Sequence, residues 1–256
     1  MNWPLAVIAL GYGAYLLYAY AAGALYFYIN PTYIIPTALT GIVLVLLGLI
    51  VAVAPRSRRG PQARPLEYAA PAEHADHVAH DGHADHDGLS WFTVALLILP
   101  LVCGFALPPK PLGVSTAAQR GVEVTPLGRA DDVVEFRVSS RPETYNIKDW
   151  VTAMRSDPDP ESLAGKAVRV SGFVYHDSRL PEGWFLVARF VVQCCAVDAT
   201  PIGLPVRTAG GTVPNEGTWI AIDGLWDVAE IGRERKAVVT PTSVTPIKRP
   251  DQPYLY

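Results

Sequence analysis

No Asp, Glu, Lys or Arg occurs before Arg56. The stretch ahead of it is mostly Ala, Leu, Ile, Val, Gly and Tyr. An apolar helix needs about 20 residues to cross the hydrocarbon core of a bilayer. The stretch holds two such segments, from Leu5 to Ile29 and from Ile34 to Ala54. Asn30-Pro31-Thr32 separates them, because the residue before a proline is driven out of the helical region. A third apolar segment, Leu89 to Leu107, ends at Pro108-Pro109. It is near the short limit for a span, and Pro100 and Gly104 are places for a kink. Ala19-Tyr20-Ala21 has a faint cleavage-site pattern. With no positive n-region and too long an apolar run, the first segment reads as a retained helix rather than a signal peptide. Tyr12, Tyr15, Tyr18 and Tyr20 lie too deep for an interfacial belt. They are expected to face another helix where each hydroxyl finds a partner, whereas Tyr26 and Tyr28 suit the interface.

Arg56, Arg58, Arg59 and Arg64 follow the second segment directly, while the Asn30–Thr32 turn is uncharged. The positive-inside rule makes the arginine side cytoplasmic. With three spans, everything after Pro109 is extracytoplasmic; if the third segment only lies on the membrane, that part is cytoplasmic. Lys110, Arg120 and Arg129 count slightly against the first arrangement. Residues 55–88 are rich in Pro, Ala, Gly, Asp and His, a composition that cannot bury a core and is expected to be a flexible loop. Within it His74, His77, His80, His83 and His86 recur every three residues, interleaved with Glu73, Asp76, Asp81, Asp85 and Asp87. Neutral imidazole binds divalent transition metals without needing a thiolate. Gly82 and Gly88 oppose a stable helix, so a wrapping chain would gather two to four imidazoles on one ion. Zinc, which imposes little geometry, suits such a set in loose, exchangeable binding, and copper(II) and nickel(II) would bind too. The alternative is a solvated linker in which the histidines are incidental.

The remainder, 110–256, is β-rich. Lys110 to Gly121 reads as a connector, and Asp132 to Ser139 alternates like a strand. Ile147, Trp150, Val151 and Met154 mark a short amphipathic helix. Five strands are expected at Ala167–Tyr175, Trp184–Val192, Ile202–Arg207, Thr218–Val228 and Lys236–Ile247, the last interrupted by Pro241. Gly172 and Gly224 fall inside strands, as bulges or tight bends do. The pattern fits a small closed barrel of the OB type. The domain plan is therefore 1–54 with two spans, 55–88 a His-rich loop, 89–109 a third span and 110–256 an OB-like domain.

The strings LPLVCGFALPPKPLG, GKAVRVSGFVYHD and VARFVVQCCAVDATPIGL lie at 99–113, 165–177 and 187–204. In these the chain resembles a bacterial membrane-protein family described as one subunit of a two-component permease complex. Its C-terminal module is a domain of unknown function. The vicinal cysteines followed by Asp and a Pro-Ile-Gly turn are the most specific of these features. The resemblance implies a partner, a separate multi-span permease encoded nearby, and a link to metal homeostasis, zinc above all.

Cys194, Cys195 and Asp198 form the second candidate metal site. Thiolates are soft ligands for zinc or copper(I), but neighbours on a strand point to opposite faces, so both thiols reach one ion only if the strand breaks there. His176, closing the preceding strand, is a possible fourth ligand. A vicinal disulfide, or one packed and one half-exposed cysteine, are the other readings, and Cys103 reads as a packing residue. Arg189 could pair with Asp198 or Asp223 or line a ligand groove, and a surface ion pair is the expected reading. Trp150, Trp184, Trp219 and Trp226 are expected in the core rather than stacking bases. With a net charge of −3, a nucleic-acid footprint has no support. No Ser/His/Asp set, phosphate loop, nucleotide fingerprint or carboxylate pair is present, so no enzyme is expected. Two functions compete. One is a membrane subunit of a permease complex handling divalent metal. The other is a membrane-anchored OB-like binding or scaffold module with the His run only a linker.

Overall fold

The computed structural model describes residues 3–54, 91–123, 144–208, 210 and 212–256. The histidines at 74–86, the arginines at 56–64 and the strand expected over Asp132–Ser139 lie outside the described residues. The chain divides into two compact units, one of 1–19 with 37–108 and one of 20–36 with 109–256.

The first unit is helical. Helix α1 spans Trp3–Ala21, α2 Ile34–Val53 and α3 Trp91–Ala106. Two helices, Trp3–Ala21 and, with its leading turn, Pro31–Val53, are long and apolar enough to cross a membrane. Small residues let them approach closely. A Cβ on Gly13 would lie 2.7 Å from the Gly41 carbonyl oxygen, and one on Gly104 would strike the Tyr15 ring at 2.8 Å. Tyr12 donates its hydroxyl proton to the Leu97 carbonyl at 2.8 Å. That contact lies beside Pro100, which removes a helix donor. The Tyr15 and Phe105 rings meet edge to face at 5.2 Å. Tyr12 and Tyr15 face another helix as expected, whereas Tyr18 and Tyr20 are exposed, Tyr18 only flanking Phe105 with ring centres 5.7 Å apart. Leu39, Ile42, Val43, Leu46, Leu47 and Ile50 are exposed along α2.

The second unit is built on a closed five-stranded barrel in the order β1-β2-β3-β5-β4. The strands are β1 Ala167–Tyr175, β2 Trp184–Val191, β3 Thr200–Arg207, β4 Trp219–Ile231 and β5 Glu234–Pro246. All neighbours are antiparallel except β3 and β5, which touch in parallel at Val206 and Val239. One cluster draws Val170, Phe185, Leu204, Ile222 and Val239 from all five strands with Trp226, and α5 (Ile147–Ser156) adds Ile147, Trp150 and Val151. Full burial of a side chain such as Phe185 or Leu204 stabilises the fold by about 2 kcal/mol. The amphipathic spacing forms α5 as expected, and Asn146 and Asp149 close a capping box at its start.

A second cluster explains why β2 is apolar apart from Arg189. Leu186, Ala188 and Phe190 pack with Phe173, Val122, Ala117 and Tyr254, so both faces of β2 are covered. Ala117 belongs to α4 (Val114–Arg120), a helix where the sequence reads as a connector. Burial of Ala117, wholly inaccessible, decides that segment, since seven residues of weak propensity do not form a helix alone.

The two strand glycines differ. Gly224 sits at a register shift beside Pro241, which cannot donate to the ladder. Gly172 stays in register with Ile220, but a Cβ there would lie 2.5 Å from the Ala188 carbonyl oxygen. It is a close-approach glycine where β1 leaves β4 for β2.

Candidate metal-ligating turn

Strand β2 ends at Val191, and the chain turns between Val192 and Ala199 before β3. Asp198 makes the turn. Its Oδ1 accepts the Gln193 amide at 2.9 Å, and its Oδ2 accepts those of Cys194 at 2.7 Å and Cys195 at 3.1 Å. The Asp198 amide donates back to the Cys195 carbonyl at 3.0 Å. A short side chain that satisfies three successive amides competes with the ladder and stops the strand. Both cysteine side chains are thereby turned to one side, with sulfurs 3.6 Å apart. The two thiols and the Asp198 carboxylate lie within 4.8 Å of one another, a group that could hold a metal ion. Cys194 is exposed and Cys195 partly so. They form no disulfide.

The electrostatics follow from the carboxylate. Donation to Asp198, with Cys195 adding a smaller effect, pushes the Cys194 thiol up to about 12. The same bond, aided by the backbone amides against a desolvation that works the other way, lowers Asp198 to about 2. At neutral pH Asp198 is a carboxylate and Cys194 a thiol. A cation would have to displace that proton, as thiolate ligation generally does.

Other segments of the same unit hold the turn from outside. The segment between α1 and α2 forms a bridge pairing Ile29 with Cys195. The Asn30 amide donates to the Cys194 carbonyl at 3.0 Å, and the Ala196 amide to the Tyr28 carbonyl at 2.7 Å. Asn30 Nδ2 donates to the Gln193 carbonyl at 2.9 Å and to that of Val192 at 3.4 Å. Its Oδ1 accepts the Thr32 amide at 3.0 Å, capping the short 3-10 turn Pro31–Tyr33. From α4, Arg120 donates to the Ala199 carbonyl and, at 3.4 Å, to that of Ala196.

His176 is placed elsewhere. Antiparallel pairing sets Tyr175 opposite Leu186, so the residue after β1 lies by the start of β2, while the cysteines follow its end. The His176 amide donates to Glu216 at 3.2 Å, and ring Nε2 lies 2.9 Å from the Pro214 carbonyl. A carbonyl only accepts, so Nε2 carries the proton. Arg189 also departs from expectation. It donates to the carbonyls of Pro253 at 3.1 Å and Gln252 at 2.8 Å, and its guanidinium sits 5.4 Å above the Trp219 ring. Burial lowers its pKa. The carbonyls of the 252–256 tail replace the anticipated carboxylate. Asp223 pairs with Arg169 at 2.5 Å instead. Trp150 and Trp226 are core residues, with rings 5.3 Å apart. Trp184 and Trp219 are only partly buried.

Apolar helices followed by a closed five-stranded barrel, with a Cys-Cys-Asp group on one barrel turn, define the class. Residues 5–123 match the DUF1980 N-terminal domain and residues 139–256 the DUF1980 C-terminal domain. Together the matches cover nearly the whole chain, which belongs to the DUF1980 family. No curated protein matches it.

Proposed function

We propose that this chain is a non-enzymatic membrane subunit that handles a divalent metal, zinc first, and docks through its apolar helices to a multi-span permease. The observation that carries the metal reading is the convergence of Cys194, Cys195 and Asp198 within 4.8 Å. Two sulfurs 3.6 Å apart, each about 2.3 Å from a zinc ion, subtend roughly 100°, close to the tetrahedral angle zinc adopts. Linear copper(I) would hold them farther apart. Asp198 Oδ1 accepts only one of the three amides, so it keeps a lone pair for an ion. His74, His77, His80, His83 and His86 would act as a second, looser zinc collector.

Connectivity supports the arrangement in the membrane. The α1–α2 turn packs on the same unit as the barrel. If α1 and α2 both cross, that turn and the barrel share a side only when α3 crosses back. Helix α3 has 16 residues, a length of about 24 Å, so it would span a locally thinned bilayer. The arginine loop then puts the His run in the cytoplasm and the cysteines outside.

A second reading has its own observation. Asp198 already satisfies three backbone amides, so the turn needs no ion to stand. A closed barrel in the order β1-β2-β3-β5-β4 supports the OB-type reading, a fold used for binding. The chain would then be an anchored binding or scaffold module.

Cobalt(II) titration of the full chain in detergent separates the two. The metal reading expects a thiolate-to-cobalt absorption band that zinc displaces, that Cys194→Ser and Cys195→Ser each abolish, and that deletion of 73–87 spares. No band in the parent chain would leave the scaffold reading. Co-purification with the permease encoded nearby tests the partner.

A further inference from the structure

The ligand turn and the turn between the two apolar helices are hydrogen-bonded into one structure. Among the described residues, the hydrogen bonds that join them include four, three of which involve Asn30. Its amide bonds Cys194 O, and its side-chain amide bonds Gln193 O and Val192 O. The fourth is Ala196 N–H to Tyr28 O. Every carbonyl Asn30 grips belongs to a residue at or just before the thiols, so its grip fixes the backbone from which they project. Asn30 also joins α2 directly, because its Oδ1 caps the Pro31–Tyr33 turn that leads into it.

We propose that Asn30 is a positioning residue for the Cys194–Cys195–Asp198 site, and that occupancy of the two thiols is transmitted through it to the end of the α1–α2 pair. For the native ligand this rests on the metal reading above; the coupling itself does not. Outer-sphere partners that hold ligands in place commonly matter tenfold or more in affinity. An occupied site removes freedom from the turn on which Asn30 is seated, and local opening falls accordingly.

Asn30→Asp isolates the claim. It keeps the Oδ1 acceptor that caps Thr32 and the backbone amide, and it replaces the two Nδ2 donations by a carboxylate oxygen that faces the same two carbonyls and repels them. The added negative charge beside a cation site would by itself strengthen binding, so a loss reports the broken grip on the turn rather than the charge acting on the ion. The full chain in detergent is titrated with cobalt(II), and hydrogen exchange is read at the Asn30 and Ala196 amides. We expect roughly tenfold weaker cobalt binding in the variant. In the parent we expect metal to slow exchange at both amides roughly tenfold, and this slowing to be lost in Asn30→Asp.

Phenylarsine oxide provides a second arm that needs no zinc function. Its As=O group condenses with two thiols, forming two As–S bonds and releasing water with no change in oxidation state. If cobalt fails to bind but the arsenical slows both amides in the parent and not in the variant, the coupling stands and the metal reading falls. Unchanged exchange in the arsenical-bound parent, shown by its mass shift, overturns the coupling. So does equal cobalt affinity in the parent and Asn30→Asp.

Discussion

At the residue scale, carboxylates organise the barrel loops, and their pH behaviour is predictable. Asp177 follows β1 and is held below the usual carboxylate range chiefly by its bond to Arg179, against an opposing desolvation. Arg179 approaches Asp177 at 2.6 Å and also donates to the Val122 carbonyl at 3.0 Å. A carboxyl with a lowered folded-state pKa binds fewer protons folded than unfolded. Its stabilisation is therefore complete above the unfolded value of about 4 and is lost as pH falls through the folded value. Asp177→Asn should flatten the acid limb of stability as pH falls below about 4, read from urea midpoints by tryptophan fluorescence. A parallel shift at all pH values would contradict this. Arg189→Met should release the 252–256 tail by removing its two carbonyl contacts. Limited proteolysis should then clip the tail faster while the barrel stays intact. Cys194, Cys195 and Asp198 were legible in the sequence because their string is unusual. Asn30 was legible only as a turn former, since the partners of its side-chain amide lie more than 160 residues away.

Among elements, alternation marked β1, whereas β2 and β3 showed as continuous apolar runs because both of their faces are largely covered. The ends were less legible. Strands β4 and β5 extend into a hairpin that pairs Ile231 with Glu234 across Gly232 and Arg233. Its charged Glu230, Arg233, Glu234 and Arg235 carry no apolar alternation. Position 172 is a sensitive point of the barrel. A methyl there meets backbone rather than a movable side chain, so Gly172→Ala should cost about 2 kcal/mol. The measurement is guanidinium unfolding of the full chain in detergent. Gly232, with φ 68 but open space around it, is a contrasting site where strain alone would act. A loss at Gly172→Ala no larger than at Gly232→Ala would argue against the close-approach role.

For the whole molecule, sidedness is the decisive question, and three single-cysteine variants in a background free of Cys103, Cys194 and Cys195 address it. Ala22 lies in the α1–α2 turn and Asn215 on a barrel loop, and both are exposed. With three spans, Ala22→Cys and Asn215→Cys should react with an impermeant maleimide from one side of sealed vesicles, and Ala75→Cys only from the other. Labelling of Asn215→Cys together with Ala75→Cys would place α3 on the membrane rather than through it. The charge-free opening stretch determined by itself that apolar helices precede the barrel, because hydropathy and length are local quantities. Strand content and the candidate ligand residue types were likewise local. Tertiary structure alone decided which side chains meet. Antiparallel pairing carried His176 away from the cysteines, burial made a helix of the Val114–Arg120 connector, and the 20–36 segment joined the barrel to clamp the Cys194–Cys195 turn. Those outcomes depend on contacts between residues far apart in the chain, which no local pattern records.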